Sequence, residues 1–244
     1  MKKVLMLISA GVLLFANQKI LKKEEVYKIL RSSALFPQIQ DQIRKGLIKE
    51  IQGVEEDGIY VIHLKSARGS GNIYITKDKK FTIIGKVINN EKNRIIEPVF
   101  PKDKQTIKTI KEGVLFTYGN GKKDIYLITD PECPYCRLLE SKKGDVLKNY
   151  KVHVILMPLP FHKNAKAMSY YILAGKTDAE KAKRLQEVLK GSEKWREFKP
   201  TPIQKEQFEK ELQKSIQAAH AAGARGTPTV LDGNFNEIRW DRLK

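Results

Sequence analysis

Two cysteines stand in the 244-residue chain, three apart, in Cys133-Pro134-Tyr135-Cys136. Sulfurs at that spacing close only a tiny ring, so they suit chemistry better than the stapling of distant loops. A β-rich run, DIYLIT at 124–129, precedes the motif, and a helical pattern from 133 to about 150 follows it. Cys133 is therefore expected at a helix N-terminus, where free N–H groups and the positive end of the helix dipole stabilise an anion. That lowers a thiol pKa and makes an exposed, reactive thiolate near neutral pH. Cys136, one turn further in, is expected to stay a buried thiol. Cys133 would attack a disulfide, and Cys136 would then attack Cys133 to resolve the mixed disulfide. Pro134 fits the first helical turn, whose N–H has no partner in any case. Tyr135 offers an apolar, polar-tipped surface beside the sulfur.

A metal reading of the same cysteines needs two more ligands. His153 and His162 are the candidates, with His63 and His220 further off, and none has finger-like spacing. No metal is expected. His153 falls in a buried-strand pattern, and His220 reads as a packed core or edge histidine. His162, in Pro160-Phe161-His162, is loop-like and within reach of the active face, although a surface or capping role is the plainer reading.

The elements that would position these residues fall into two domains. Residues 17–98 read as a small α+β unit, with a helix at 24–32 (Val26, Ile29 and Leu30 on one face) and β-rich runs at 59–64, 72–76 and 81–88. A unit of about 80 residues with one helix and an open sheet is marginal alone, and pairing an edge with a second copy would stabilise it. Residues 99–112 follow Pro98 and read as a stiff connecting helix, with Ile107 and Ile110 three apart. In 113–244, strands at 114–117 and 124–129 flank the turn Gly119-Asn120-Gly121 as a hairpin. A buried strand at 152–157 comes next, then helices at 163–174, 178–190 and 203–222. The last of these sets Phe208, Leu212, Ile216 and His220 on one face. Gly226-Thr227-Pro228-Thr229 leads into a final strand pair.

The N-terminus carries Lys2 and Lys3, then an uncharged apolar run from Val4 to Ala16. That run is shorter than the roughly 20 residues of a spanning helix. It reads as a signal peptide over 1–16, cleaved after Ala16, with an uncleaved anchor as the alternative. Export, to the periplasm on this reading, places the thiols where disulfides persist.

Charge and composition exclude other classes. Lys plus Arg minus Asp plus Glu is 46 − 28 = +18, and the lysines are spread along the whole chain. With no arginine-rich block or DNA-binding motif, nucleic acid is not an expected partner. The charge reads as a solvated surface, with adhesion to acidic partners or membranes as the alternative. An apolar fraction of 41% argues against disorder, and a mean hydropathy of −0.43 against a multi-span membrane protein.

The order strand, CxxC, helix, strand, helical block and final strand pair is similar to thioredoxin with helices inserted. With Asp130-Pro131-Glu132-Cys133-Pro134-Tyr135-Cys136 and Thr227-Pro228, the chain resembles the DsbC/DsbG family of periplasmic thiol:disulfide interchange proteins. The resemblance implies an α+β / α/β chain: a small N-terminal antiparallel sheet domain for dimerisation, a linker helix, and a C-terminal thioredoxin fold. It implies a cis Thr227-Pro228 bond facing the cysteines, with the Thr227 backbone pairing with a client chain. It also implies a homodimer that isomerises or reduces disulfides in unfolded or misoxidised exported proteins. Its Cys133-Cys136 pair, the redox-active disulfide in place of any cofactor, would be kept reduced by a DsbD-type membrane reductase. A dithiol oxidase, an apocytochrome thiol reductase and a chaperone-like binding module are the alternatives. Two departures stand out. Leu127 occupies the position where thioredoxin carries a buried acid, so proton transfer to Cys136 must use water or another group. Only Trp240 to Lys244 follow the last strands, which puts the usual closing helix in doubt.

Overall fold

The protein is described by a computed structural model covering residues 18–67 and 69–244. The expected signal peptide, residues 1–16, lies outside the described residues. The chain divides into two compact units that meet at Phe100 and Pro101.

The first unit contains β1 (Gln18–Ile20), α1 (Lys23–Leu30), α2 (Phe36–Arg44), β2 (Ile48–Glu56), β3 (Ile59–Ser66), β4 (Gly69–Thr76) and β5 (Thr82–Ile84). Its antiparallel sheet has the order β1-β2-β3-β4-β5. Strand alternation divides its core. Ile62, Ile73 and Ile75 pack with Val26, Ile29, Leu30 and Ile39 of the two helices. Val61 and Tyr74 pack on the other face with Val54 and Ile96. Gly53 permits α1 to lie against β2, because an added Cβ would stand 2.6 Å from Val26 Cγ2. A small hairpin, β6 (Ile88–Asn89) and β7 (Arg94–Ile95), completes the unit. The sequence reading, with one helix and three strands, misses α2 and β2. Phe36, Ile39 and Ile43 of α2 do repeat at helical spacing, and all three join the core beneath it.

The second unit contains α3 (Lys104–Glu112), β8 (Phe116–Tyr118), β9 (Asp124–Thr129), α4 (Pro134–Leu147), β10 (Lys151–Leu156), α5 (Ala165–Leu173), α6 (Asp178–Leu189), α7 (Pro202–Ala222), β11 (Thr229–Asp232) and β12 (Glu237–Ile238). Its sheet has the order β12-β11-β9-β10-β8. Only β9 and β10 are parallel. Ile125, Leu127, Val152 and Val154 face the cluster that holds both cysteines, while Tyr126, Ile128 and Ile155 face Ala218, Ala219 and Ala222 of α7.

Three expectations change here. The strands flanking Gly119-Asn120-Gly121 form no hairpin, because β8 pairs with β10 and not with β9. The loop instead crosses the end of α4, where an added Cβ on Gly121 would collide with the Asn149 carbonyl. The connecting helix α3 is capped by Asp103, which accepts from the N–H groups of Gln105 and Thr106. By packing it belongs to the second unit: Ile110 is fully buried against α7, and Gly113 is tight against Ala218. His220 is exposed, and the buried stripe of α7 runs through Phe208, Leu212, Ser215, Ala219 and Ala222. Steps of four drift around a 3.6-residue helix, and that drift carries His220 out of the face. At the C-terminus, a single 3₁₀ turn, Trp240–Arg242, precedes buried Leu243, whose carbonyl accepts from Lys143 Nζ at 2.7 Å.

Glu140 is buried on α4 with Lys190 Nζ 3.5 Å away, and desolvation raises its pKa. A carboxyl whose pKa is higher folded than unfolded costs stability once pH rises above the ordinary carboxylate range, and costs nothing below it. Glu140→Gln is therefore expected to raise the melting temperature at pH 7. The gain should vanish near pH 3, and a variant that melts lower at pH 7 would contradict the assignment.

Candidate active site

The parallel pairing of β9 and β10 sets their C-terminal ends side by side, with Met157 N–H donating to the Thr129 carbonyl at 2.8 Å. The two loops that follow, 130–133 and 157–164, are therefore neighbours. Chain reversal into α4 makes Cys133 the N-cap residue and places Pro134 in the first turn. The Cys133 carbonyl accepts the N–H groups of Cys136 and Arg137, both at 3.1 Å.

Cys133 and Cys136 are free thiols. Cys136 is 1% exposed and Cys133 only 4%, so the expectation of an exposed Cys133 is overturned. Its sulfur lies against the segment before β11, and as a thiol it donates to the Thr227 carbonyl at 3.3 Å. The Thr227-Pro228 peptide is cis. The Thr227 hydroxyl is buried without a partner, and it can donate to the Cys133 sulfur once that sulfur ionises. Pro134 and Tyr135 carry the exposed surface of the motif, with Tyr135 67% exposed.

The environment splits the two thiols. A hydrogen bond from the Cys136 thiol contributes most to lowering Cys133, against desolvation and with help from the Thr227 hydroxyl and the N–H groups of Cys136 and Tyr135. The result is a pKa of about 5. Burial drives Cys136 strongly upward, and the hydrogen bond to Cys133 adds to this. The Asp130 N–H, 3.4 Å from the Cys136 sulfur, opposes that rise, as does the Thr129 hydroxyl. One sulfur is thus set up as a nucleophile and its neighbour as a reserve thiol.

A second group of residues, of which the sequence singles out only His162, adjoins the motif. Asp130 is fully buried. Its Oδ1 accepts Glu132 N–H at 2.7 Å, and its Oδ2 accepts Leu159 N–H at 2.7 Å and His162 Nδ1–H at 2.8 Å. Glu132 accepts from the N–H of Asn164 at 2.7 Å and from its side-chain amide at 2.9 Å. His162 is thus neither a surface nor a capping histidine, since its side chain is 15% exposed and bound to a buried carboxylate. No short stretch of sequence signals this meeting, which follows from the register of β9 with β10 across the 32 residues between Asp130 and His162.

The other histidines sit apart from the sulfurs. His153 bonds Asp124 at 2.7 Å and Thr117 at 3.1 Å, and His63 bonds Asn72 at 2.7 Å. Among the described residues, no group of three or more His, Cys, Asp or Glu side chains is placed to hold a metal ion.

Residues 117–234 match the thioredoxin-like domain family. The chain is an α+β protein with an N-terminal antiparallel sheet and a C-terminal thioredoxin-like fold. No curated protein matches it. Among solved structures, it is similar to Proteus mirabilis ScsC (17% identity, 59% of this chain and 78% of that one, TM-score 0.41). It is also similar to the Wolbachia pipientis thiol-disulfide exchange protein alpha-DsbA2 (14% identity, 57% and 90%, TM-score 0.42). Helicobacter pylori DsbG aligns over more of the chain (13% identity, 80% and 97%, TM-score 0.39). At such scores, these likenesses carry no argument about activity.

Proposed function

We propose that the protein is a periplasmic thiol:disulfide interchange enzyme of the DsbC/DsbG kind, acting as an isomerase or reductase on exported proteins. One arrangement carries the reading: Cys133 caps the start of α4 with buried Cys136 one turn on, and its sulfur lies 3.3 Å from the Thr227 carbonyl beside the cis proline, with its pKa lowered to about 5. The Cys133 thiolate attacks a client disulfide. A bond forms between Cys133 and one client sulfur, and the other client sulfur leaves as a thiolate and takes up a proton. A second client thiol can then displace Cys133, which rearranges the client with no net electron transfer. Alternatively, Cys136 displaces the client, which leaves reduced, and a Cys133-Cys136 disulfide remains. A membrane reductase of the DsbD type would restore the dithiol.

Pro134, Tyr135, Thr227 and Pro228 bind the client in this reading. The Thr227 carbonyl that meets the Cys133 sulfur is a free backbone acceptor once the thiolate forms, suited to pairing with an extended chain. Two copies would join through the first units, where Ile20 and Ile84 on the edge strands are 58% and 73% exposed. A chaperone-like cleft would follow from that pairing.

The same lowering of Cys133 favours a second reading. Stabilising the thiolate stabilises the reduced form and makes the disulfide more oxidising, which suits a dithiol oxidase. The mature protein should be equilibrated with glutathione buffers, its mass recorded in solution, and tested on a scrambled multi-disulfide substrate. Rescue of native pairing that disappears in Cys133→Ser is the expected result. Rescue by the Cys133→Ser variant would end the interchange reading, and oxidation without rescue would replace isomerase by oxidase.

A further inference from the structure

Ile216 belongs to the apolar stripe of α7 read from the sequence, yet it is only half-buried and joins neither core cluster of the second unit. It faces a cavity of about 400 Å³ instead, walled by Leu159, Pro160, Leu212 and Ile216. The walls are fixed to one another. The Leu156 N–H donates to the Ser215 hydroxyl at 2.9 Å, which ties β10 to α7. Glu209 of α7 accepts from Lys166 Nζ at 3.0 Å and from the Tyr170 hydroxyl at 2.9 Å, which ties α5 to α7. A pocket with room for a leucine or phenylalanine side chain therefore stands preformed.

The cavity is within reach of a chain held at the cysteines. Asp130 N is 3.4 Å from the Cys136 sulfur, and Asp130 Oδ2 is 2.8 Å from Nδ1 of His162, whose side chain lines the cavity. Covalent geometry across Asp130 adds at most about 5 Å, so the His162 ring begins within roughly 11 Å of that sulfur. An extended chain advances about 3.3 Å per residue, so positions roughly three to six residues from an attacked cysteine can enter the cavity.

Charge selects the neighbour of the entering side chain. Lys166 and Glu209, both lining the cavity, pair with each other. Lys163 also lines it, is exposed, and forms no ion pair among the described residues. The uncompensated charge at the mouth is therefore positive and favours a carboxylate.

We infer that this cavity is a client subsite, taking a large apolar side chain roughly three to six residues from the cysteine under attack while Lys163 pairs with an acidic residue beside that side chain. The inference rests on the exchange reaction proposed above and adds a sequence preference to it. Contact at the cavity holds the client disulfide near the Cys133 sulfur and so raises the rate of attack.

The test uses the reduced mature protein in excess over synthetic peptides whose single cysteine is a mixed disulfide with thionitrobenzoate. Attack by Cys133 joins its sulfur to the peptide sulfur and releases the thionitrobenzoate thiolate, whose absorbance gives the rate. The peptides carry leucine followed by glutamate at offsets of roughly three to six residues on either side of the cysteine. Matched peptides carry alanine for leucine, or lysine for glutamate, and one with alanine and glutamine gives the reference rate. At the best offset, leucine should react about tenfold faster than alanine. Glutamate should react about threefold faster than lysine at low salt. Ile216→Gln should remove the leucine preference, and Lys163→Glu should reverse the charge preference. Reaction of each variant with the reference peptide shows that the cysteine site is assembled. Equal rates for leucine and alanine at every offset, or a leucine preference that survives Ile216→Gln, would overturn the inference and leave the exchange reading standing. Should Ile216→Gln fail to fold, a glutamate preference unchanged in Lys163→Glu would overturn it alone. A change of mass in solution in either variant would assign the cavity to a second copy of the chain and overturn it as well. Wild-type protein that releases no thionitrobenzoate from any peptide would remove the exchange reading itself, and the inference with it.

Discussion

The alkylation rate of Cys133 should follow pH with a midpoint near pH 5, far below that of an ordinary free thiol. With a pKa of about 5 against an ordinary 9, about half of Cys133 is thiolate at that pH, against about one ordinary thiol in 10⁴. A less basic thiolate is a weaker nucleophile, and four pKa units remove about 40–100-fold of that advantage. At pH 7 the two effects nearly cancel, so a single rate at neutral pH would mislead. The discriminating quantity is the midpoint of the pH profile, expected near 5. The same shift stabilises the reduced fold. For a thiol whose folded pKa is depressed, that contribution is full above about pH 9, declines as pH falls, and is gone below about pH 5. The disulfide form has no such thiolate, so the melting temperature of the reduced form should fall relative to that of the disulfide form on acidification. An alkylation midpoint near 9 would remove the basis for a nucleophilic Cys133.

Replacing Cys136 by alanine should have two separable effects. The mixed disulfide loses its internal attacker, so its decay to the Cys133-Cys136 disulfide should fall by about 10³-fold or more and client adducts should accumulate. Cys133 also loses the hydrogen bond that contributes most to its low pKa, so its alkylation midpoint should move upward. Cys136→Ser separates the two effects. The serine hydroxyl still donates, so the midpoint should stay closer to wild type, while the adduct should persist as it does with alanine. Equal midpoints in the serine and alanine variants would show that the contact between the two sulfurs does not hold the thiolate. Adducts that decay at the wild-type rate in either variant would take the resolving role from Cys136.

Much of this arrangement was legible in the chain because it depends on local order. A β-rich run followed by Cys133, Pro134 and a helical pattern places a sulfur at a helix start by backbone geometry alone. Strand periodicity at 124–129 and 152–157 marked the two central strands for the same reason. What the sequence hid is non-local. The meeting of Asp130 with His162 depends on the register of β9 with β10, which no short window contains. The pairing of β8 with β10 depends on a loop crossing the end of α4, and Gly119-Asn120-Gly121 looks like a hairpin turn until that crossing is seen. The burial of Cys133 was missed because the covering carbonyl, that of Thr227, comes from 94 residues away.

The clamp between the 130–132 and 159–164 segments divides one loop into two kinds of position. His162 and Asn164 point inward to the acids, and Pro160, Phe161 and Lys163 between and beside them are exposed, with Phe161 73% exposed. Anchoring in this stretch thus falls to His162 and Asn164 alone. The outward positions are free to diverge, or to be randomised in a library, without disturbing the register that the inward ones enforce.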